Sequence, residues 1–325
     1  MGTRSLSEVL ERVDDDLRNG RDAAATTWPT GFRVLDDVLG GGLNAGDLTL
    51  VGGAQGLGKT TFALQIARNI ASSGGHALYL CFEHREEDVL QRVLGMELGL
   101  HGGTDALSLT QLRDRFRPGR EGGLVERLAT CDSSVAALRS IADLGQRLRV
   151  VTVAGSRAEL KDVHDLVVAE TGRRPVVVVD YLQKLRVPGD PPDEGERVTQ
   201  IVEGLKDMAL ELDLPVVAIV ASDKSGLGGG RTRLHHLRGS TALAYEADVA
   251  LLLNDKYEVV ARHHLMYGTT NAEEYRSWVV CSIEKNRNGV AGVDLEFQKH
   301  FAHGRFDPHG RVVAESLSEA RSGQE

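Results

Sequence analysis

Residues 48–62 read Leu48-Thr49-Leu50-Val51-Gly52-Gly53-Ala54-Gln55-Gly56-Leu57-Gly58-Lys59-Thr60-Thr61-Phe62. A short apolar run leads into glycines, and a helical period of apolar residues follows through Phe62, Ile66 and Ile70. That order is strand, turn, helix. The turn, Gly53-Ala54-Gln55-Gly56-Leu57-Gly58-Lys59-Thr60, satisfies GxxxxGK[ST]. Glycines let a backbone close around phosphates, with successive N–H groups pointing into the loop. Lys59 is then expected to reach the β- and γ-phosphates, and the Thr60 hydroxyl, followed by Thr61, to bind Mg²⁺. A glycine turn of purely structural purpose is the plainer reading. The strand-to-helix context argues instead for a nucleotide site that takes Mg²⁺.

Outward from this segment the pattern alternates strand and helix. Apolar runs at Ala77–Phe82, Leu148–Val153, Val176–Val179, Pro215–Val220 and Val249–Leu253 read as strands. Helical periods fall between them, at residues 85–98 and about 157–171, and along Val198, Ile201, Val202, Leu205, Met208 and Leu212. Aliphatic runs with little alternation suit strands covered by helices on both faces. The expected fold is α/β with a mainly parallel sheet. Two acids stand where such strands end. Asp180 closes Val176-Val177-Val178-Val179, where it can hold Mg²⁺ directly or through water. Glu83 closes Leu78-Tyr79-Leu80-Cys81-Phe82, where a carboxylate can polarise the water attacking a γ-phosphate. Taken alone, Glu83 equally suits the acidic start of the next helix.

The chain has 325 residues, 41 % hydrophobic and 26 % charged, which excludes a wholly disordered polypeptide. Its apolar runs are too short to span a bilayer, so no membrane partner is expected. Cys81, Cys131 and Cys281 share no CxxC or CxxH spacing, so neither a disulfide framework nor a zinc site is indicated. The N-terminal stretch lacks a signal-peptide core, and the expected location is cytoplasmic. Net charge is −9, so contact with nucleic acid would need a locally basic surface. Between Ser222 and Arg238 lie Lys224, Arg231, Arg233 and Arg238 among four glycines, a composition that can follow a phosphate backbone. A solvated surface loop is the plainer reading there. The pairs His235-His236 and His263-His264 have no defined ligand geometry and are assigned to the surface.

Leu6, Val9, Leu10, Val13 and Leu17 make one apolar helical stripe, started by a Ser5/Glu8 capping box and stopped near Gly20. So short a helix must dock, either on its own domain or on a neighbouring subunit. Asp22–Pro29 reads as a linker. The expected organisation is residues 1–29 as helix and linker, 30–310 as the domain, and 311–325 as a loosely ordered polar tail.

Several segments now occur in one order: Thr30-Gly31-Phe32 with Leu35-Asp36, Gly46-Asp47-Leu48, the glycine loop, Phe82-Glu83, Asp180-Tyr181-Leu182-Gln183, Leu237-Arg238 with Glu246-Ala247-Asp248, and Lys285-Asn286-Arg287-Asn288-Gly289. Together they resemble the RecA-like motor domain of DnaB-type replicative helicases, over roughly residues 30–307. The resemblance implies a RecA-like P-loop NTPase core, its mainly parallel sheet flanked by helices, with residues 5–20 as an N-terminal linker helix. It implies the absence of that family's N-terminal, primase-meeting domain. It also implies that Glu83 is the catalytic glutamate and that Lys285 and Arg287 are cations inserted into the next subunit's nucleotide site. Such cations stabilise charge on the γ-phosphoryl oxygens; two residues sharing one solvated strand face is the plainer reading.

By the same resemblance, the loop around Arg238-Gly239 contacts single-stranded DNA, and the chains assemble into a homo-oligomeric, hexameric ring. Two departures stand out. Ala221, with Ser222 and Asp223 after it, occupies the place of a glutamine thought to sense the γ-phosphate, and Gly239 replaces an acid. The implied function is an ATP-hydrolysing motor on single-stranded DNA, a helicase or translocase. The alternative is a RecA- or KaiC-like regulatory or scaffolding ATPase that binds DNA or protein without unwinding.

Overall fold

The structure is a computed structural model, and it describes residues 3–20, 27–103, 106–119, 121–129, 132–152, 158–189, 191–222, 230–239, 241–261 and 272–318. The chain begins with α1 (Leu6–Arg18), β1 (Thr27–Trp28), α2 (Arg33–Leu39), β2 (Leu43–Asn44) and β3 (Leu48–Gly53). It continues through α3 (Lys59–Ser72), β4 (Ala77–Cys81), α4 (Glu86–His101), α5 (Leu109–Arg115), α6 (Leu124–Leu128) and α7 (Asp132–Leu144). Then come β5 (Leu148–Thr152), α8 (Leu160–Glu170), β6 (Val176–Asp180), α9 (Glu194–Leu212), β7 (Val216–Ile219), α10 (Ala242–Glu246) and β8 (Val249–Asp255). Past α11 (Lys256–Val259) lie β9 (Trp278–Asn286), β10 (Val293–His300), β11 (Arg305–Phe306) and β12 (Arg311–Val312).

Ten strands form one sheet in the order β11-β10-β9-β8-β3-β7-β6-β4-β5, with β12 paired to β10. The strands from β8 to β5 run parallel, as the aliphatic runs predict, and β6 is buried at every residue. One face carries Phe62, Ile66 and Ile70 of α3 with Val89 and Val93 of α4. The other carries Val198, Ile201, Val202 and Leu205 of α9 with Val163 and Val167 of α8. Both faces are therefore apolar, which is why the central strands show no polar alternation.

Four differences from expectation follow from packing. First, β9 and β10 extend the sheet by antiparallel pairing beyond β8, where the sequence reading ended it. They carry polar groups, the half-covered Glu284, Asp294 and Gln298 and the buried Ser282, which dilute the apolar signal. Second, the linker reading of Asp22–Pro29 fails from Thr27 on, because β1 pairs with β2 and Trp28 is buried in the core; residues 22–26 lie outside the described ones. Third, Arg311–Ser318 is not a loose tail. β12 pairs with β10, Ala261 N donates to Ser316 O at 2.9 Å, and Lys256, fully buried, bonds Glu315 at 2.8 Å as well as Glu296. Fourth, α1 forms with its capping box intact but buries none of its residues, so docking on its own domain is not realised. Leu6 remains 89 % exposed.

An aromatic cluster ties the antiparallel extension to α3. Phe62 stacks on Phe32 at 4.6 Å between centroids and meets Phe297 of β10 and Phe306 of β11 at 5.9 and 5.8 Å. Phe62→Ala is expected to destabilise the domain by about 3–5 kcal/mol, read as a lower midpoint in urea unfolding.

Candidate nucleotide site

The glycine loop leaves β3 and enters α3 with Gly53, Gly56 and Gly58 at φ of 140°, 83° and 88°, all in the left-handed region that side chains disfavour. A Cβ on Gly53 would sit 2.4 Å from the Leu253 carbonyl oxygen, so this glycine also answers a close backbone approach. Lys59 turns back over the loop and donates to the carbonyls of Gly53 and Ala54 at 2.8 and 2.9 Å. Burial holds its ammonium pKa below the usual lysine value. A partly desolvated cation held at a loop of glycine N–H groups is prepared for an anion.

Thr60 and Asp180 approach from adjacent elements, Thr60 Oγ1 donating to Asp180 Oδ1 at 3.4 Å. Asp180 is 2 % exposed, and its other oxygen accepts from Tyr79 OH at 2.6 Å. Burial raises the Asp180 pKa, and the same burial beside that carboxylate pushes the Tyr79 phenol well up. Cis oxygens in an octahedral Mg²⁺ shell lie about 3 Å apart, given bond lengths of about 2.1 Å. The Thr60–Asp180 pair fits that ion, and its charge would offset the desolvated carboxylate.

Glu83, exposed just past β4, faces the same cleft of about 540 Å³. The walls add residues that the sequence did not single out: Arg92 from α4, Leu109 from α5, and Phe301 from the β10–β11 turn. Arg92 lies nine positions beyond Glu83 on a helix, and only the tertiary path brings it back to the cleft. Phe301 is 40 % exposed, an aromatic surface beside the phosphate loop.

Lys285 and Arg287 are not in this cleft. The antiparallel register pairs Ala250 with Lys285, while the phosphate loop begins where Gly53 pairs with Leu253. Those two positions on β8, Ala250 and Leu253, are separated by about 10 Å, three residues at ~3.3 Å each. Lys285 Nζ donates to the carbonyls of Ala244 and Tyr245 at 2.7 and 3.0 Å. Arg287 pairs with Asp248 at 3.2 Å and also donates to Tyr245 O. Asn286 and Asn288 pin the hairpin by donating to Val38 O at 3.1 Å and Asp47 Oδ2 at 2.6 Å. Both cations sit at the edge opposite their own phosphate loop.

The basic residues of 222–238 divide. Arg231 bonds Asp294 and Ser282, and Arg233 bonds Glu284 at 2.5 Å, so the expected free basic surface does not include them. Their acids come from β9 and β10, strands the sequence reading did not supply. Arg238 is 56 % exposed, pairs with Glu194 at 2.9 Å, and lies beside Gly239 at φ 127°. Lys224 lies outside the described residues, as do His263 and His264. His235 and His236 pack ring to ring at 4.1 Å, and among the described residues no cluster of three metal-ligating side chains occurs. Among those residues, no helix is long and apolar enough to cross a membrane.

Comparisons with known proteins bear on this arrangement. The sequence profile of the DnaB-like helicase C terminal domain matches residues 28–306. The replicative DNA helicase DnaB of Geobacillus stearothermophilus is 26 % identical over 306 residues, spanning 92 % of this chain and 61 % of that protein. The replicative DNA helicase DnaC of Bacillus subtilis (strain 168) is 27 % identical over 315 residues, with the same shares, 92 % and 61 %. The chain therefore spans less than two thirds of these relatives. In fold, it matches the ATPase domain of G40P with a TM-score of 0.71 at 21 % identity, covering 94 % of this chain and 99 % of that one. A DnaB-like replicative helicase described with its primase interactions matches at TM-score 0.70 and 21 % identity, covering 93 % and 68 %.

Asp180 supplies a test of the cleft's electrostatics. Its folded pKa lies above the unfolded one, so above that pKa the ionised carboxylate favours unfolding, and the cost is relieved as pH falls through it. Asp180→Asn is expected to raise the ligand-free melting temperature by a few degrees at pH 8, with the gain shrinking toward pH 4, while stabilisation by Mg²⁺ with nucleotide disappears. Thermal melts across pH, with and without Mg²⁺-nucleotide, check both parts.

Proposed function

Because the chain belongs to the family of DnaB-like helicase C-terminal domains, we propose that it is an ATP- and Mg²⁺-dependent motor of RecA-like fold, acting on single-stranded DNA as a cytoplasmic, hexameric homo-oligomeric ring. The carrying observation is the position of Lys285 and Arg287, at the sheet edge away from their own phosphate loop. A cleft built this way is complete only when another protomer brings its cations to the phosphates. Such head-to-tail contacts close into rings.

Within one cleft, the N–H groups of Gly53–Thr60 cradle the phosphates and Lys59 exchanges its two carbonyl partners for phosphate oxygens. Thr60 and Asp180 hold Mg²⁺, which when bound neutralises charge on the β- and γ-oxygens. Glu83 orients the attacking water, a role for which general-base catalysis supplies about 10²–10⁴ in rate. Arg92 adds a cation from the same chain, and Phe301 offers a face for the base. Arg287 of the adjoining protomer leaves Asp248 and stabilises the transition state, worth about 10³–10⁵. The unburied stripe of α1, with Leu10 69 % and Leu17 61 % exposed, suits docking on that same neighbour.

DNA contact rests on Arg238, Gly239 and Lys224. The commitment of Arg231 and Arg233 to acids favours a second reading, a ring ATPase that binds DNA or protein without unwinding.

Two measurements test these readings. Mixing equal amounts of Arg287→Ala and Glu83→Ala protein should restore about a quarter of wild-type ATPase, since one interface in four then joins an intact cleft to an intact cation. Two inactive proteins that stay inactive together would overturn shared sites. Strong ATPase stimulation by a dT oligonucleotide, fading between 50 and 200 mM salt, supports the DNA motor; unchanged turnover supports the second reading.

A further inference from the structure

The far end of α3 borders a second pocket, of about 320 Å³, that shares no lining residue with the nucleotide cleft. Arg68 and Asn69 of α3, Met96 and Leu100 of α4, Arg305 of β11 and Pro308 line it. Asn69 is nine residues past Thr60, so the pocket lies about 14 Å along the helix from the Thr60–Asp180 pair.

Most of its polar wall is paired within the domain. Gln65 clasps Phe306, accepting from its N at 2.8 Å and donating to its O at 2.9 Å. Arg68 forks onto the buried Glu97 at 2.5 and 2.9 Å. Asn69 donates to Thr30 O at 3.0 Å and accepts from Arg68 at 3.3 Å. Arg305 is the exception. Its Nε is buried without a hydrogen-bond partner, and no carboxylate of the described residues pairs with its guanidinium. Asp307, two residues on, instead faces His300 at 3.6 Å and accepts from His309 N at 2.8 Å. Gly99 provides the seat, since a Cβ there would lie 3.1 Å from Arg305 Nε. Burial pushes the Arg305 pKa below the usual arginine value, opposed by Asp307 and reinforced by Arg68.

An arginine does not shed its charge, so a guanidinium withdrawn from water with no acceptor calls for an anion. Its planar fork matches phosphate in two parallel hydrogen bonds. Ser72 brings a hydroxyl to the rim, a donor for the third phosphate oxygen that a carboxylate lacks. The volume falls at the lower end of small-molecule pockets, about 300–1,000 Å³. We propose that this pocket is a second anion site, in which Arg305 binds the phosphate of a small organic phosphate whose carbon skeleton lies against Leu100 and Pro308. The site is separate from the nucleotide cleft, and neither reading depends on the other.

Phenyl phosphate is the probe, titrated calorimetrically into the chain carrying Lys59→Ala, which weakens binding at the phosphate loop. Saturable binding at one site per chain is expected. Arg305→Met keeps the stem over Gly99 and removes the charge; it should weaken binding about 10–100-fold, the loss of hydrogen bonds to a charged group. Its melting temperature should not fall, because no acceptor is lost. Leu100→Glu, at an exposed position of α4, should weaken binding by placing a carboxylate beside Arg305, and it serves as the test if Arg305→Met does not fold. Phenol and benzoate should bind about tenfold more weakly than phenyl phosphate. Absence of binding to the Lys59→Ala chain overturns the inference, as does unchanged affinity in folded Arg305→Met or, failing that variant, in Leu100→Glu. Benzoate binding as tightly as phenyl phosphate overturns the assignment to phosphate.

Discussion

Strand polarity is the constraint on which the rest of the molecule depends. Parallel strands end at one edge of a sheet, so the phosphate loop after β3, Glu83 after β4, Asp180 closing β6 and Ser222 after β7 all emerge together. Reversing the chain direction at β9 sends Lys285 and Arg287 to the other edge. The six-residue pairing of β9 with β10 then fixes that placement, because a slip of one residue would turn Cys281 and Ile283 out of the core. The cleft and the two cations are thus assigned to opposite ends of the sheet by strand direction.

Each edge has its own buried carboxylate. The Asp180 carboxylate is desolvated and hydrogen-bonded to a hydroxyl and a phenol, an arrangement that suits a cation in the cleft. Asp248 is the opposite case: one oxygen accepts from Lys206 at 2.7 Å and from Leu48 N at 2.8 Å, and the other pairs with Arg287. Its charge is met within the domain, joining α9, the start of β3 and the hairpin after β9. The two aspartates differ here by what surrounds them, not by residue type.

Legibility followed burial. Val176–Asp180 and Leu48–Gly53 read as strands because helices cover both faces and nothing polar interrupts them. β9 and β10 did not, since Ser282, Glu284, Lys285 and Asp294 are accommodated by partners that only the fold provides, among them Arg231 and Arg233. That same pairing removed two arginines from the basic surface their spacing suggested. Arg311–Ser318 looked like a tail because its anchors, Lys256 and Glu296, are distant in sequence.

The local chemistry was determined by sequence alone: a glycine loop must take left-handed backbone, a lysine and threonine at its end must face it, and an acid after four valines must surface at a strand end. Those properties depend on neighbours a few residues away. Which cations are tied to acids, which buried carboxylate faces the cleft, and which hydroxyl there has no partner among the described residues were decided by tertiary structure. Each depends on groups brought together across long stretches of chain, and electrostatic pairing in a desolvated interior is set by distance in space.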